Sequence, residues 1–220
     1  NSTTGRWGFL VYANGAAALD RMTWSEDAPG TTPTSSATTQ FADVHADILW
    51  DICKIPSTGY AALVYKSTVP DIKLVIVDAA GSVISTTALV PTTSVQGAIT
   101  VWSFTSSGTT RIFVAYQDTA ASTHLKVFRT DFDGANATGP VTLTAYSETL
   151  EQLTGAGGIA TNETDTSPNR DGYSLIMVQY MESSHTSGVY NRSIDTVVID
   201  FDATLVAGTI YWAEVFIPRN

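Results

Sequence analysis

The chain has one cysteine, Cys53, in 220 residues. No internal disulfide is available, so the fold has to be held by its apolar core. Cys53 lies in an apolar, strand-like run, where a thiol behaves as a small buried hydrophobe rather than as a nucleophile. Charge is scarce too: 15% of residues are charged, and 11 basic against 21 acidic side chains leave a net charge of −10. A surface of that sign repels phosphate backbones and argues against a nucleic-acid partner. No apolar run approaches the roughly 20 residues of a membrane-spanning helix. The opening NSTTGRWG has no basic start followed by an apolar stretch. The expectation is a soluble chain without membrane insertion, from which any signal peptide has gone. Catalytic signatures are missing as well. Neither G-x-S-x-G nor H-E-x-x-H occurs, and His45, His124 and His185 are far apart in sequence.

Apolar residues are plentiful, at 44%, which is enough for an ordinary core in a single domain over 1–220. Four of the seven Asn residues head glycosylation sequons: Asn1, Asn136, Asn162 and Asn191. The acceptor chemistry of that motif leads to an expectation of secretion or display on an extracellular surface.

A short apolar run ending in Tyr occurs four times, as FLVY, ALVY, FVAY and MVQY, ending at Tyr12, Tyr65, Tyr116 and Tyr180 with spacings of 53, 51 and 64 residues. After each Tyr come a polar loop and a second apolar run, then an acidic turn at Asp27, Asp78, Asp131 or Asp200, then a third stretch rich in Thr, Val and Leu. Short β-branched and aromatic runs bounded by Gly, Pro, Asp and Asn form strands, and no segment reads as a helix. Upstream of Tyr65 and Tyr116, ADILWDICKI and GAITVWSFTS supply one further strand each, and a weaker one is expected near Leu153 to Thr161. The first unit has no such strand, because only six residues precede Trp7.

The C-terminal YWAEVFIPRN echoes LWDICKIPST in placing Ile-Pro five residues after a Trp. The expected fold is therefore an all-β propeller of four blades of about 55 residues, each a four-stranded meander, with the C-terminal strand closing the first blade. Runs such as IKLVIV, apolar on both faces, fit strands with a neighbouring sheet on each side. A β-sandwich is the alternative reading. A third is an excerpt of a larger propeller, or a ring completed by another subunit.

The repeated pattern of VAYQD…LKVFRTDFDG resembles that of secreted β-propeller proteins, particularly propeller lectins. The resemblance is architectural and implies no subfamily. The Trp50–Asp51 pair occurs once rather than closing each blade, and neither a sialidase-type Asp box nor a kelch Gly-Gly pair recurs.

Two residues beyond each Tyr stand Asn14, Ser67, Asp118 and Glu182. In a propeller these would form a polar ring at one mouth of the channel, suited to a sugar or a cation. Trp24 and the inserted loop carrying Tyr190 are the aromatic candidates for ligand contact, whereas Trp50, Trp102 and Trp212, read as equivalent, are expected to pack between blades. Asp131, Asp133 and Asn136, in D-x-D-G-x-N, could hold a calcium ion, the one cofactor entertained, or could simply build a turn. The leading functional expectation is a non-enzymatic protein that recognises glycans or another cell-surface ligand. A self-assembling subunit of an extracellular filament or coat is second, and a glycan-active hydrolase or lyase is third.

Overall fold

The computed structural model describes residues 6–12, 18–25, 34–47, 49–56, 58–68, 72–78, 82–89, 95–106, 109–118, 124–145, 150–157, 173–181, 192–200 and 211–215. All regular structure among them is β. The first sheet holds β1 (Arg6–Tyr12), β2 (Leu19–Ser25) and β3 (Thr34–Phe41). The second is β4 (Trp50–Lys54), β5 (Ala61–Lys66), β6 (Ile72–Val77) and β7 (Val83–Leu89), paired in chain order. The third repeats that order with β8 (Val95–Ser106), β9 (Thr109–Asp118), β10 (His124–Asp131) and β11 (Thr138–Ala145). The fourth contains β12 (Leu150–Gly157), β13 (Tyr173–Met181), β14 (Arg192–Asp200) and β15 (Tyr211–Val215). Every pairing among the described strands is antiparallel, as in a meander of consecutive hairpins.

The second sheet shows why alternation is absent from its central strands. Leu63, Tyr65, Val75 and Val77 face one way and form a core with Leu19, Phe41 and Val44 from the first sheet and its outgoing connection. Ala62, Val64, Ile72, Leu74 and Ile76 face the other way and pack on Val101, Ile112, Val114 and Tyr116 of the third sheet. With both faces covered, both parities have to be apolar, and each aliphatic side chain contributes roughly 2 kcal/mol by leaving water. The outermost strand β7 has lost that cover and returns to partial exposure, with Val83 and Ile84 outside. Sheets stacked in series in this way exclude a two-layer sandwich, in which each sheet has one buried face.

The first strands β4, β8 and β12 adjoin one another across the stack. Asp51 on β4 accepts hydrogen bonds from Thr100 Oγ1 at 2.7 Å and from the Val101 N–H at 2.9 Å. Ser103 Oγ donates to the Lys54 carbonyl at 2.6 Å, and the Gly155 N–H donates to Thr100 Oγ1 at 3.3 Å. Contacts that advance together along β4 and β8 mean that these strands run the same way, so corresponding ends of the second and third sheets lie at one side of the molecule.

Two expectations are corrected here. The C-terminal strand does not fill the vacancy in the first sheet: β15 pairs with β14, Trp212 opposite Val197, as the outermost strand of the fourth sheet. A hairpin partner close by in sequence closes a short loop and wins over a partner two hundred residues away. The tryptophans are not equivalent either. Trp50 lies opposite Tyr65, whereas Trp102 lies opposite Phe113, three residues before Tyr116. The register makes Cys53 the counterpart of Trp102. Trp102 nonetheless packs between sheets as expected, buried against Phe113 in the stacked geometry and lying on Gly155 of the fourth sheet.

Candidate functional site

Each of the second to fourth sheets has a leading end, where its first strand begins and its Tyr strand finishes. At that end of the second sheet the β4–β5 ladder breaks. Trp50 is paired with Tyr65, so a continued ladder would set Ile48 against Ser67; Val44 bridges Ser67 instead. The excess residues loop out as a turn at Ala46–Asp47, whose two sides are tied to the Lys66 backbone. The Lys66 N–H donates to the Leu49 carbonyl and the His45 N–H to the Lys66 carbonyl, both at 2.9 Å. The Thr68 N–H donates to the Asp43 carbonyl at 3.0 Å.

This turn gathers charge. Lys66 Nζ donates to Asp47 Oδ2, and Lys73 Nζ to Asp43 Oδ2. The Tyr65 hydroxyl donates to Asp43 Oδ1 at 2.9 Å. The hydrogen bond from Lys66 holds the Asp47 carboxyl below its ordinary range. Burial pushes the Asp43 carboxyl up, but hydrogen bonds from Lys73 and Tyr65 outweigh it and leave it lowered. Burial, and then the Asp43 carboxylate, push the Tyr65 hydroxyl well above its usual value. His45 Nδ1 accepts the Asp47 N–H at 3.2 Å and lies 3.2 Å from Asp47 Oδ2. The Ser67 hydroxyl is fully buried and has no partner among the described residues.

The third sheet presents the same tyrosine and lysine in the same register. Tyr65 lies opposite Lys73, and Tyr116 opposite Lys126. Here the lysine's acid comes from the Tyr strand itself, as Asp118, with a side chain only 5% exposed. Of the expected polar ring, then, Ser67 and Asp118 do reach the leading ends of their sheets, but both are buried. Asn14, Glu182 and Tyr190 lie outside the described residues, as do the sequon residues Asn1, Asn162 and Asn191. Trp24 pairs with Trp7 in the first sheet. His124 opens β10 directly opposite Asp118.

The D-x-D-G-x-N segment is a turn. Asp131 Oδ1 is ion-paired with Arg111, and its Oδ2 accepts the Asn136 side-chain N–H at 2.7 Å. Asp133 Oδ1 accepts the Ala135 N–H at 3.0 Å. Asn136 thus offers Asp131 a donor where a calcium loop needs an oxygen, and Arg111 supplies the positive charge. Gly134 at φ 83° and Asn136 at φ 50° take the left-handed conformations of the bend. The Gly134 carbonyl accepts Thr87 Oγ1 at 2.8 Å, latching the turn to β7 of the second sheet. No group of three or more His, Cys, Asp or Glu with metal-binding geometry occurs among the described residues.

Cys53 is half-buried, and its thiol is pushed up to about 12 by burial, as expected of an inert packing residue. Sequence reasoning passed over Asp43, Asp47 and Lys66. The available signal was the alternation Asp43–His45–Asp47 immediately before a strand, but the ladder break that gives it a shape depends on pairing with Lys66 and Ser67.

Among the described residues no helix is long and apolar enough to cross a membrane. No protein-family model matches the chain, and no curated protein matches it in sequence. Among solved structures it is similar to a GH93 alpha-L-arabinofuranosidase of Fusarium graminearum in complex with arabinobiose. The TM-score is 0.54 and the identity 12%, over 96% of this chain and 66% of that one. It is similar to the same extent, over 63% of the other chain, to an alpha-L-arabinofuranosidase of the same organism bound to an iminosugar inhibitor. The chain thus spans about two thirds of the length of these enzymes. Both are β-propellers, and at this identity the likeness shows the fold: an all-β arrangement of propeller type. The expectation that put a non-enzymatic recognition protein first and an extracellular structural subunit second, ahead of a hydrolase, is corrected by the same finding, since the solved structures of like fold are alpha-L-arabinofuranosidases.

Proposed function

We propose that this chain is a glycan-acting β-propeller domain of glycoside-hydrolase type, its four sheets being four consecutive blades. The observation that carries the reading is the fold match over 96% of the chain to two solved structures of alpha-L-arabinofuranosidases. Glycoside hydrolysis needs two carboxyl groups in different protonation states flanking the scissile bond. The leading end of the second sheet supplies an acid of one of those kinds: Asp43, beside Lys73, is held ionised, as a nucleophile or base must be. The proton donor we assign to Glu182, which the repeat places two residues beyond Tyr180 as Asp118 stands two beyond Tyr116. Secretion belongs to the same reading, and the exposed Asn136 in its turn supports use of that sequon.

Incubating the purified protein with 4-nitrophenyl α-L-arabinofuranoside, arabinobiose and a panel of other aryl glycosides tests this. Release of nitrophenol or monosaccharide, lost in Glu182→Gln, is the expected result. A folded protein that releases nothing from any substrate would remove the hydrolase reading.

A further inference from the structure

The looped-out turn before β4 has hydrogen-bonding capacity that the fold does not use. Lys66 is 5% exposed, yet among the described residues its ammonium makes one hydrogen bond, to Asp47, where it has three N–H groups to offer. Asp47 Oδ1 has no partner among the described residues, although Oδ2 is engaged by Lys66 and lies near His45. His45 uses Nδ1 and leaves Nε2 without a partner there, at an imidazole 37% exposed. Three unspent polar atoms of complementary kind are therefore held within one turn, and both sides of that turn are fixed by backbone hydrogen bonds to the residue that supplies the ammonium. An interruption of a ladder that re-aims side chains is a recurrent device beside binding sites. Next to it lies the Ser67 hydroxyl, buried without a partner among the described residues, the kind of unsatisfied group that calls for an explanation beyond packing.

Charge selects the ligand. Lys66 is balanced by Asp47 and Lys73 by Asp43, so the turn attracts neither an anion nor a cation. A neutral polyol suits it: one hydroxyl oxygen accepts a hydrogen bond from the ammonium, the adjacent hydroxyl donates to the carboxylate, and the imidazole serves as a further partner. We infer that His45, Asp47 and Lys66 form a subsite for the vicinal hydroxyls of a neutral sugar at the leading end of the second sheet. This inference rests on the glycan-acting reading for the identity of the sugar, and not for the existence of the site.

Calorimetric titration of the full chain with arabinobiose tests it, alongside hydrolysis of the same sugar. Asp47→Asn is expected to weaken binding about tenfold or more, because a charged acceptor is lost. His45→Ala, on an exposed side chain, is expected to weaken it a few-fold and to raise KM with kcat and melting temperature held. Binding by the wild type that neither variant changes overturns the subsite while leaving hydrolysis intact. Wild-type binding weakened in both variants, without any hydrolysis, upholds the subsite and sinks the hydrolase reading. No arabinobiose binding by the folded wild type overturns the subsite outright.

Discussion

The second and third sheets are written from one pattern and solve two problems differently. Each sets a lysine opposite the last Tyr of its second strand, Lys73 by Tyr65 and Lys126 by Tyr116. In the second sheet the counter-charge arrives from the preceding connection as Asp43, whose side chain is 35% exposed; in the third it is Asp118, at 5%. What recurs is the need to neutralise a lysine at a sheet end, not the position of the acid that does it. Volume across the inter-sheet seam follows the same rule. Cys53 approaches Ser103 of the next sheet, while its register counterpart Trp102 approaches Gly155. Two modest side chains on one seam are matched by a large one against none on the other, so sheet spacing is kept by complementary sizes rather than repeated residues.

The seam can be broken from the glycine side. A Cβ at Gly155 would lie 2.0 Å from the Trp102 ring, so Gly155→Ala should cost about 3 kcal/mol, with part of it recovered when Trp102→Leu is added. Denaturant unfolding of the two variants checks this, and no recovery in the double variant would refute the volume argument. Next in size is Lys126→Ala. It strips the ion-pair partner from a buried carboxylate and should cost about 2 kcal/mol, reduced from the cost of a fully buried pair because Lys126 is itself 21% exposed. The matching Lys73→Ala acts on a half-buried acid that also keeps its hydrogen bond from Tyr65, and should cost about 1 kcal/mol or less, so equal melting shifts for the two lysines would abolish the distinction between the sheets.

The smallest effect is titration at the turn. Asp43 and Asp47 both ionise below the ordinary value of 3.8, so the stability they contribute is present above that pH and is lost as the pH falls through their lowered values. Melting temperature should drop between a pH of about 6 and one of about 3, and less steeply in the variant carrying both Asp43→Asn and Asp47→Asn. An unchanged slope would place the acid sensitivity elsewhere.

Much of the sheet arrangement was legible because strand chemistry is local. FLVY, ALVY, FVAY and MVQY mark four sheets, the acidic turns mark hairpins, and the apolar runs on both faces mark sheets covered on both sides. The polar ring was legible only as spacing: Ser67 and Asp118 reach the expected ends, but that they are buried follows from neighbours no spacing reveals. The turn at His45 escaped notice because its meaning lies in a ladder break, and a break is visible only once the partner strand is in place. The C-terminal strand misled for the opposite reason, since its resemblance to LWDICKIPST was real in letters and irrelevant to pairing.

By itself the sequence determined that the chain folds as β-meanders with doubly apolar central strands, because hydrophobicity and turn propensity act within a few residues. Only the tertiary structure decided that β15 belongs to its own hairpin, that Trp102 owes its place to a glycine, and that Lys66, Asp47 and His45 meet in one turn. Those outcomes depend on register and on packing between sheets, where a shift of a few residues changes every neighbour while leaving the composition of each strand the same.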